Sequence, residues 1–317
     1  MPKLRKLGRS GLSIAPLVVG GNVFGWTVDK AESFKILDGF VDGGATMIDT
    51  ADSYYAFAPG NVGGESETII GNWMQSRGNR DSVQIATKVG LLPGRKGLAA
   101  DTIRKAVEES LSRLRTDYID LYFAHADDDS VSQLEVAEAF DRLVRSGKVR
   151  AIGASNISRR RFSSALATAR ENGLAQYAVL QPQLNLMSAE TFSQEARALC
   201  MENDIGVITY FSLASGFLTG KYHDVREVEG TARAARLEAY FNDRGRAVLA
   251  ALAQISAESG ASYAQIALAW VMAQPGVTAP IASATSVDQV NALLPAMELT
   301  LEGDALKLLD QAAATPI

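Results

Sequence analysis

Residues 118–125 read Tyr118-Ile119-Asp120-Leu121-Tyr122-Phe123-Ala124-His125, a nearly unbroken apolar run that closes on a histidine. The run is short and rich in branched and aromatic side chains, which predicts a buried strand rather than a helix. Runs of the same kind at 47–49, 83–88, 149–155, 178–181 and 207–210 close on Asp49, Lys88, Ser155 with Asn156, Gln181 and Tyr210. Apolar on both faces, such strands belong to a parallel sheet that helices cover. Polar groups gathered at the carboxyl ends of parallel strands mark the working face of a βα barrel.

Outward from these runs the chain alternates. Residues 102–114 set Ile103, Val107, Ser110, Leu111 and Leu114 on one helical face, and 133–145, 158–172 and 189–203 follow the same period. The first helix opens on Asp29 and Glu32 at capping-box spacing and carries Phe34, Ile36, Leu37 and Phe40. Residues 3–7 and 12–15 flank Gly8-Arg9-Ser10-Gly11 and predict a hairpin that plugs the barrel's amino-terminal end. The first barrel strand is expected at 17–20 and the last near 278–281. Residues 216–236 show neither period, which predicts a long loop that is either functional or disordered. Helices are expected at 244–259, 263–273, from Val287, and at 301–314. The fold class is α/β: a (β/α)8 TIM barrel with an N-terminal β-hairpin and a long loop after strand 7, read as one domain over 1–317.

Composition narrows the function classes. Hydrophobic residues make up 47% and charged residues 21% of the 317, enough to bury a large core. A net charge of −5 gives no general pull toward nucleic acid or anionic membrane. The basic run Arg159, Arg160, Arg161 reads as a solvated helix start. One cysteine, Cys200, precludes an internal disulfide and is expected to be buried in a cytoplasmic protein. No apolar run reaches membrane-span length, and the start of the chain is too polar for a signal peptide.

The strand ends define a chemistry. Asp49, Lys88 and His125 close strands, and Tyr54 follows Asp49 in Asp49-Thr50-Ala51-Asp52-Ser53-Tyr54. If the strands are neighbours, all four side chains share one cup. A tyrosine hydroxyl has a pKa of ~10. An ammonium beside it is expected to lower that value, with a carboxylate holding the ammonium in place. Tyr54, Lys88 and Asp49 thus form a proton donor for a developing alkoxide, with His125 orienting the carbonyl. Carbonyl reduction then needs hydride, and therefore a nicotinamide. No Gly-x-Gly-x-x-Gly follows a strand, so a doubly wound dinucleotide domain is unsupported. The later strand ends offer a different cradle: Tyr210 as an aromatic plate, with Ser155, Asn156 and Gln181 holding the carboxamide.

Five ordered segments carry a family resemblance: Ile48-Asp49-Thr50-Ala51-Asp52-Ser53-Tyr54, Ala86-Thr87-Lys88 with His125, Gly153-Ala154-Ser155-Asn156, Leu180-Gln181, and Tyr210 through Gly216-Phe217-Leu218-Thr219-Gly220-Lys221-Tyr222. Over most of its length the chain resembles the aldo-keto reductases, NAD(P)H-dependent βα-barrel oxidoreductases, in their bacterial and potassium-channel-β-like branch. The resemblance implies Tyr54 as acid/base, Lys88 and Asp49 as its tuners and His125 as carbonyl orienter. It places Asp49, Ser155, Asn156, Gln181 and Tyr210 around the nicotinamide. It also places the segment of Ser212, Leu213, Gly216 and Lys221 over the pyrophosphate. In the last βα loop, Ser283, Thr285 and Gln289 look like the branch's adenosine-end contacts, although no basic residue stands there. NADPH is the expected cofactor, with NADH as the alternative.

Trp26, Tyr55 and Phe57 lie on loops after the first two strands and are expected to wall a pocket for an apolar or ring-bearing aldehyde, ketone or alcohol. Two other functions share these residues. A Schiff-base lyase would use Lys88 as nucleophile. A regulatory protein would use nicotinamide occupancy as a redox signal.

Overall fold

A computed structural model describes residues 2–231 and 233–316 of the chain. Strands β1 (Arg5–Lys6) and β2 (Ser13–Ile14) pair antiparallel as the expected hairpin. Eight parallel strands then close a barrel in chain order: β3 (Val18–Gly20), β4 (Met47–Asp49), β5 (Gln84–Val89), β6 (Ile119–Ala124), β7 (Val149–Ser155), β8 (Val179–Gln181), β9 (Gly206–Thr209) and β10 (Ala279–Ala282), which returns to β3. Each expected strand is present, shifted by at most one residue at its ends.

Helices cover the outside: α1 (Lys30–Asp42), α2 (Glu65–Arg77), α3 (Ala100–Leu114), α4 (Gln133–Arg145), α5 (Arg159–Glu171) and α6 (Gln194–Glu202). After the seventh barrel strand come α7 (Ala234–Glu238), α8 (Asp243–Ser259) and α9 (Tyr263–Ala273), then α10 (Val287–Leu293) and α11 (Gly303–Ala313). Periodicity does not single out α2, because Glu67 and Gly71 interrupt its buried stripe of Ile70, Trp73 and Met74. The capping box expected at α1 is half made. Asp29 accepts from the Glu32 backbone, but the Glu32 side chain pairs with Lys35 at 3.0 Å.

The loop after strand 7 is less irregular than its sequence suggests. It holds a 3-10 turn at Val225–Val228 as well as α7. Val228 and Leu237 are the buried anchors, too few and too far apart to register as a period.

Two apolar clusters form the core. One lies between barrel and helices; the other fills the barrel, where Leu7, Leu12 and Ile14 of the hairpin meet Val18, Met47 and Leu121. The hairpin is therefore the expected plug. Gly8 makes it possible: its φ is +51°, and a Cβ there would stand 2.1 Å from the Gly206 nitrogen. Cys200 is fully buried, as its neighbours suggested. Among the described residues no helix is long and apolar enough to cross a membrane.

Candidate active site

Strand alternation decides which side chains enter the barrel. Met47, Ala86, Leu121, Phe123, Ala151, Val179 and Ile208 belong to the interior cluster. Counting on by twos along each strand brings Asp49, Lys88, His125, Ser155, Gln181 and Tyr210 to the same inner face at the carboxyl end. Register aligns them: Asp49 lies opposite Ala86, and Ser155 opposite Gln181.

Lys88 is the hub. Its Nζ donates to Asp49 Oδ2 at 2.7 Å, to the Thr50 carbonyl at 2.7 Å and to Tyr54 Oη at 2.6 Å. An ammonium has three protons, so this one is fully committed. Tyr54 in turn donates its hydroxyl to Asp49 Oδ2 at 2.8 Å. The Lys88 and Asp49 side chains are 1% and 2% exposed. A pair so deep is held by excellent geometry, because desolvating either charge alone costs several kcal/mol.

The electrostatics differ in one respect from the sequence expectation. Burial, then the facing Asp49 carboxylate, pushes the Tyr54 phenol well above its ordinary range. The expected downward pull of Lys88 is outweighed. Tyr54 therefore keeps its proton at neutral pH, as a proton donor must. Burial also lowers the pKa of Lys88, opposed by Asp49. His125 lies edge-on to Tyr54, ring centroids 6.0 Å apart. Burial and then the Lys88 charge hold its pKa well below the usual imidazole value, so the ring is neutral. Its Nδ1 shares a 3.2 Å hydrogen bond with the Ser53 hydroxyl.

A family model described as "Aldo/keto reductase family" matches residues 16–314. The chain belongs to the aldo/keto reductase family. It is 34% identical to "Uncharacterized oxidoreductase YrpG" of Bacillus subtilis (strain 168), over 96% of this chain and 94% of that one. It is 30% identical to "Norsolorinic acid reductase B" of Aspergillus parasiticus, over 96% and 82%. It is 31% identical to the "Probable voltage-gated potassium channel subunit beta" of Oryza sativa subsp. japonica, over 93% and 91%.

In this aldo/keto reductase the residues expected around a nicotinamide form one network. Ser155 donates to the Gln181 carbonyl at 2.8 Å, Asn156 to the His125 carbonyl at 2.8 Å, and the Tyr210 hydroxyl to Asn156 Oδ1 at 2.8 Å. Asn156 holds a left-handed backbone, φ +48°, which asparagine tolerates better than most residues. Gln181 turns its amide nitrogen onto Asp49 Oδ1 at 2.8 Å. A cavity of about 440 Å³ borders Asn156, Gln181 and Tyr210.

The segment after β9 is tightly wound. Phe211, Ala214, Ser215 and Gly216 all have positive φ, and Ser212 is buried with its hydroxyl on the Thr209 carbonyl at 3.0 Å. Leu213 packs against the outer core. Lys221 reaches back over this turn: a Cβ on Gly216 would lie 3.7 Å from its Nζ. In the last loop, Gln289 Oε1 accepts from both the amide and the hydroxyl of Thr285, at 2.9 and 3.2 Å. Ser283 donates to Asn22 at 2.5 Å. Asp288 is exposed in the first turn of α10, where a negative charge is favoured.

The three aromatics expected at the pocket do meet. Trp26 and Tyr55 stack with centroids 3.5 Å apart, and Phe57 leans on Tyr55 at 5.3 Å while remaining 80% exposed. Sequence reasoning missed two neighbours of the site, Thr50 and Ser53. Thr50 enters through its carbonyl, which no side-chain pattern signals. Ser53 stands inside the motif but becomes visible only once His125 faces it. Arg236 lies 4.1 Å over the Phe211 ring and Arg233 lies 5.9 Å from the Trp26 ring. Both come from the stretch 231–246 after strand 7, which from its place in the sequence is expected to reach the pocket. Among the described residues no group of His, Cys, Asp and Glu is placed to hold a metal ion.

Proposed function

We propose that this aldo/keto reductase reversibly reduces an aldehyde or ketone to an alcohol with NADPH, all in one catalytic domain spanning 1–317 of a cytoplasmic protein. The observation that carries the reading is the placement of Tyr54 Oη between Lys88 Nζ at 2.6 Å and Asp49 Oδ2 at 2.8 Å, at the mouth of the barrel. A bound nicotinamide supplies hydride there. As the carbonyl oxygen gains charge, Tyr54 passes it the hydroxyl proton. The Lys88 ammonium stabilises the phenolate left behind, and Asp49 keeps the ammonium aimed. The role of His125 needs the tautomer in which Nδ1 accepts from the Ser53 hydroxyl and the ring proton sits on Nε2, free to hold the carbonyl oxygen.

The residues present suit such a cofactor. Gln181 Oε1 accepts no hydrogen bond from the described residues, so it is open to a carboxamide N–H. Tyr210 offers a ring plane. Successive residues of positive φ at 214–216 make the kind of backbone concavity that takes phosphate oxygens, with the Lys221 ammonium above it. The Trp26–Tyr55 stack, with Phe57 at its rim, favours a substrate with a flat apolar body.

The competing uses of the site are weaker. A Schiff-base lysine needs a free lone pair, whereas all three Lys88 protons are engaged. The rice relative's name lends some support to a redox-sensing role, but a sensor needs no proton donor held this closely. The test is NADPH and NADH titration by fluorescence, followed by NADPH oxidation across a panel of aldehydes and ketones. Tight NADPH binding without turnover of any carbonyl would leave the sensor reading in its place.

A further inference from the structure

Behind the barrel wall, on the face of β5 away from Tyr54, a second group of charges is buried. Thr87, the outward neighbour of Lys88, donates to Glu67 Oε1 at 2.5 Å, and Arg113 of α3 donates to Glu67 Oε2 at 2.6 Å. Glu67 is thus a satisfied buried charge. Asp52 is not. The residue is 1% exposed, and neither carboxylate oxygen has a hydrogen-bond partner among the described residues. Its backbone N–H reaches the Lys88 carbonyl at 3.4 Å, which fixes it at the end of the strand that carries the ammonium. It stands three residues past Asp49 and two before Tyr54.

Groups from four surrounding elements and from the chain beside it act on Asp52: Glu67 from α2, Arg113 from α3, Arg95 from the loop after β5, Lys88 from β5, Tyr122 from β6 and Ser53 beside it. Arg113 is committed to Glu67; Arg95 gives its terminal nitrogens to Glu109, one of them at 2.8 Å, while its buried Nε has no partner among the described residues. Tyr122 has a buried hydroxyl without a partner of its own. A buried carboxylate with no donor is costly and tends to neutralise instead. Burial, and then the charge of Glu67, pushes the Asp52 carboxyl up to about 7, with the two arginines opposing.

We propose that Asp52, buried at the end of the strand that carries Lys88, is a positioning residue for the Tyr54–Lys88–Asp49 site: loss of the proton from its unbonded carboxyl weakens Tyr54 as an acid through Lys88. The inference rests on the reading of Tyr54 as the proton donor. Its sign follows from charge. An ionised Asp52 behind Lys88 offsets part of the positive potential that stabilises the phenolate, so proton delivery slows as pH rises.

The test combines kinetics with a readout that needs no turnover. In wild type, kcat/KM for carbonyl reduction should fall by roughly threefold or more as pH rises through the Asp52 ionisation. Asp52→Asn, permanently neutral, should move that fall to higher pH. Glu67→Gln removes the neighbouring charge and should move it to lower pH, so the proposal does not depend on one variant folding. Infrared difference spectra of 13C-aspartate-labelled protein should show a protonated carboxyl band below the transition that fades above it and is absent from Asp52→Asn. Superimposable pH profiles for wild type and both variants would overturn the coupling, and a missing band would overturn the protonated Asp52. If wild type reduces no carbonyl, the proposed function and the coupling fail together, while the band still reports whether Asp52 holds a proton.

Discussion

Gln181 and Asp49 stand 132 residues apart in sequence and meet across the top of the barrel, where Gln181 Nε2 donates to Asp49 Oδ1 at 2.8 Å. The contact divides the carboxylate. Oδ2 serves Lys88 and Tyr54, and Oδ1 serves the strand proposed to border the nicotinamide. The proposed proton donor and the proposed cofactor cradle are therefore one hydrogen-bonded unit, so a substitution at either end should be felt at the other.

Tyr54→Phe keeps the ring and removes the proton. Carbonyl reduction should fall by about 10²–10⁴, with NADPH affinity nearly intact, because the hydroxyl serves chemistry rather than binding. Steady-state rates and fluorescence titration on the same preparation check this. Activity within about tenfold of wild type removes Tyr54 from the role of acid.

Lys88→Met leaves Asp49 buried without its cation. Breaking a buried pair from one side costs about 3–5 kcal/mol, so a clear drop in unfolding free energy should accompany the loss of turnover. Asp49→Asn in the same chain removes the stranded charge and should recover part of the stability but none of the activity. Urea unfolding of the two single variants and the double variant closes the cycle. Additive losses would mean that the two side chains are not energetically coupled.

His125 should give the protein an acid-sensitive component. Its folded-state pKa lies well below the ordinary value, while the unfolded chain protonates near about 6.5. The stability it contributes is therefore complete above that pH and is lost as pH falls toward the folded value. His125→Gln should lose less stability than wild type between neutral and mildly acidic buffer.

Cofactor choice should divide between two loops. Lys221 lies over the turn at Gly216, the segment proposed to take the pyrophosphate that NADPH and NADH share. Lys221→Ala should therefore weaken both cofactors together. Thr285→Val and Gln289→Ala, in the last loop, should weaken NADPH more than NADH. Wild-type protein that binds NADH at least as tightly as NADPH would contradict the NADPH assignment but leave the proton-donor geometry untouched.

Much of this site was legible because strand structure is local. A period of two sends Asp49, Lys88, His125, Ser155, Gln181 and Tyr210 inward once each strand is recognised, whatever lies elsewhere in the chain. The alternation of strands and helices likewise implies a parallel barrel with its polar strand ends on one face. The sequence by itself therefore determined the barrel, its plug and the membership of the cup.

What each group bonds to was decided only by the tertiary structure. That Gln181 holds Asp49, that Ser53 meets His125 and that Asp52 meets no donor all depend on contacts between segments far apart in the chain. So does the sign of the Tyr54 shift, since burial and a facing carboxylate outweigh the neighbouring lysine. Arg233 and Arg236 sit in a loop without period, and their place beside Trp26 and Phe211 follows from where Val228 and Leu237 anchor that loop. Periodicity governs where a backbone points its side chains; desolvation and hydrogen-bond pairing depend on which atoms the folded chain brings within about 3 Å.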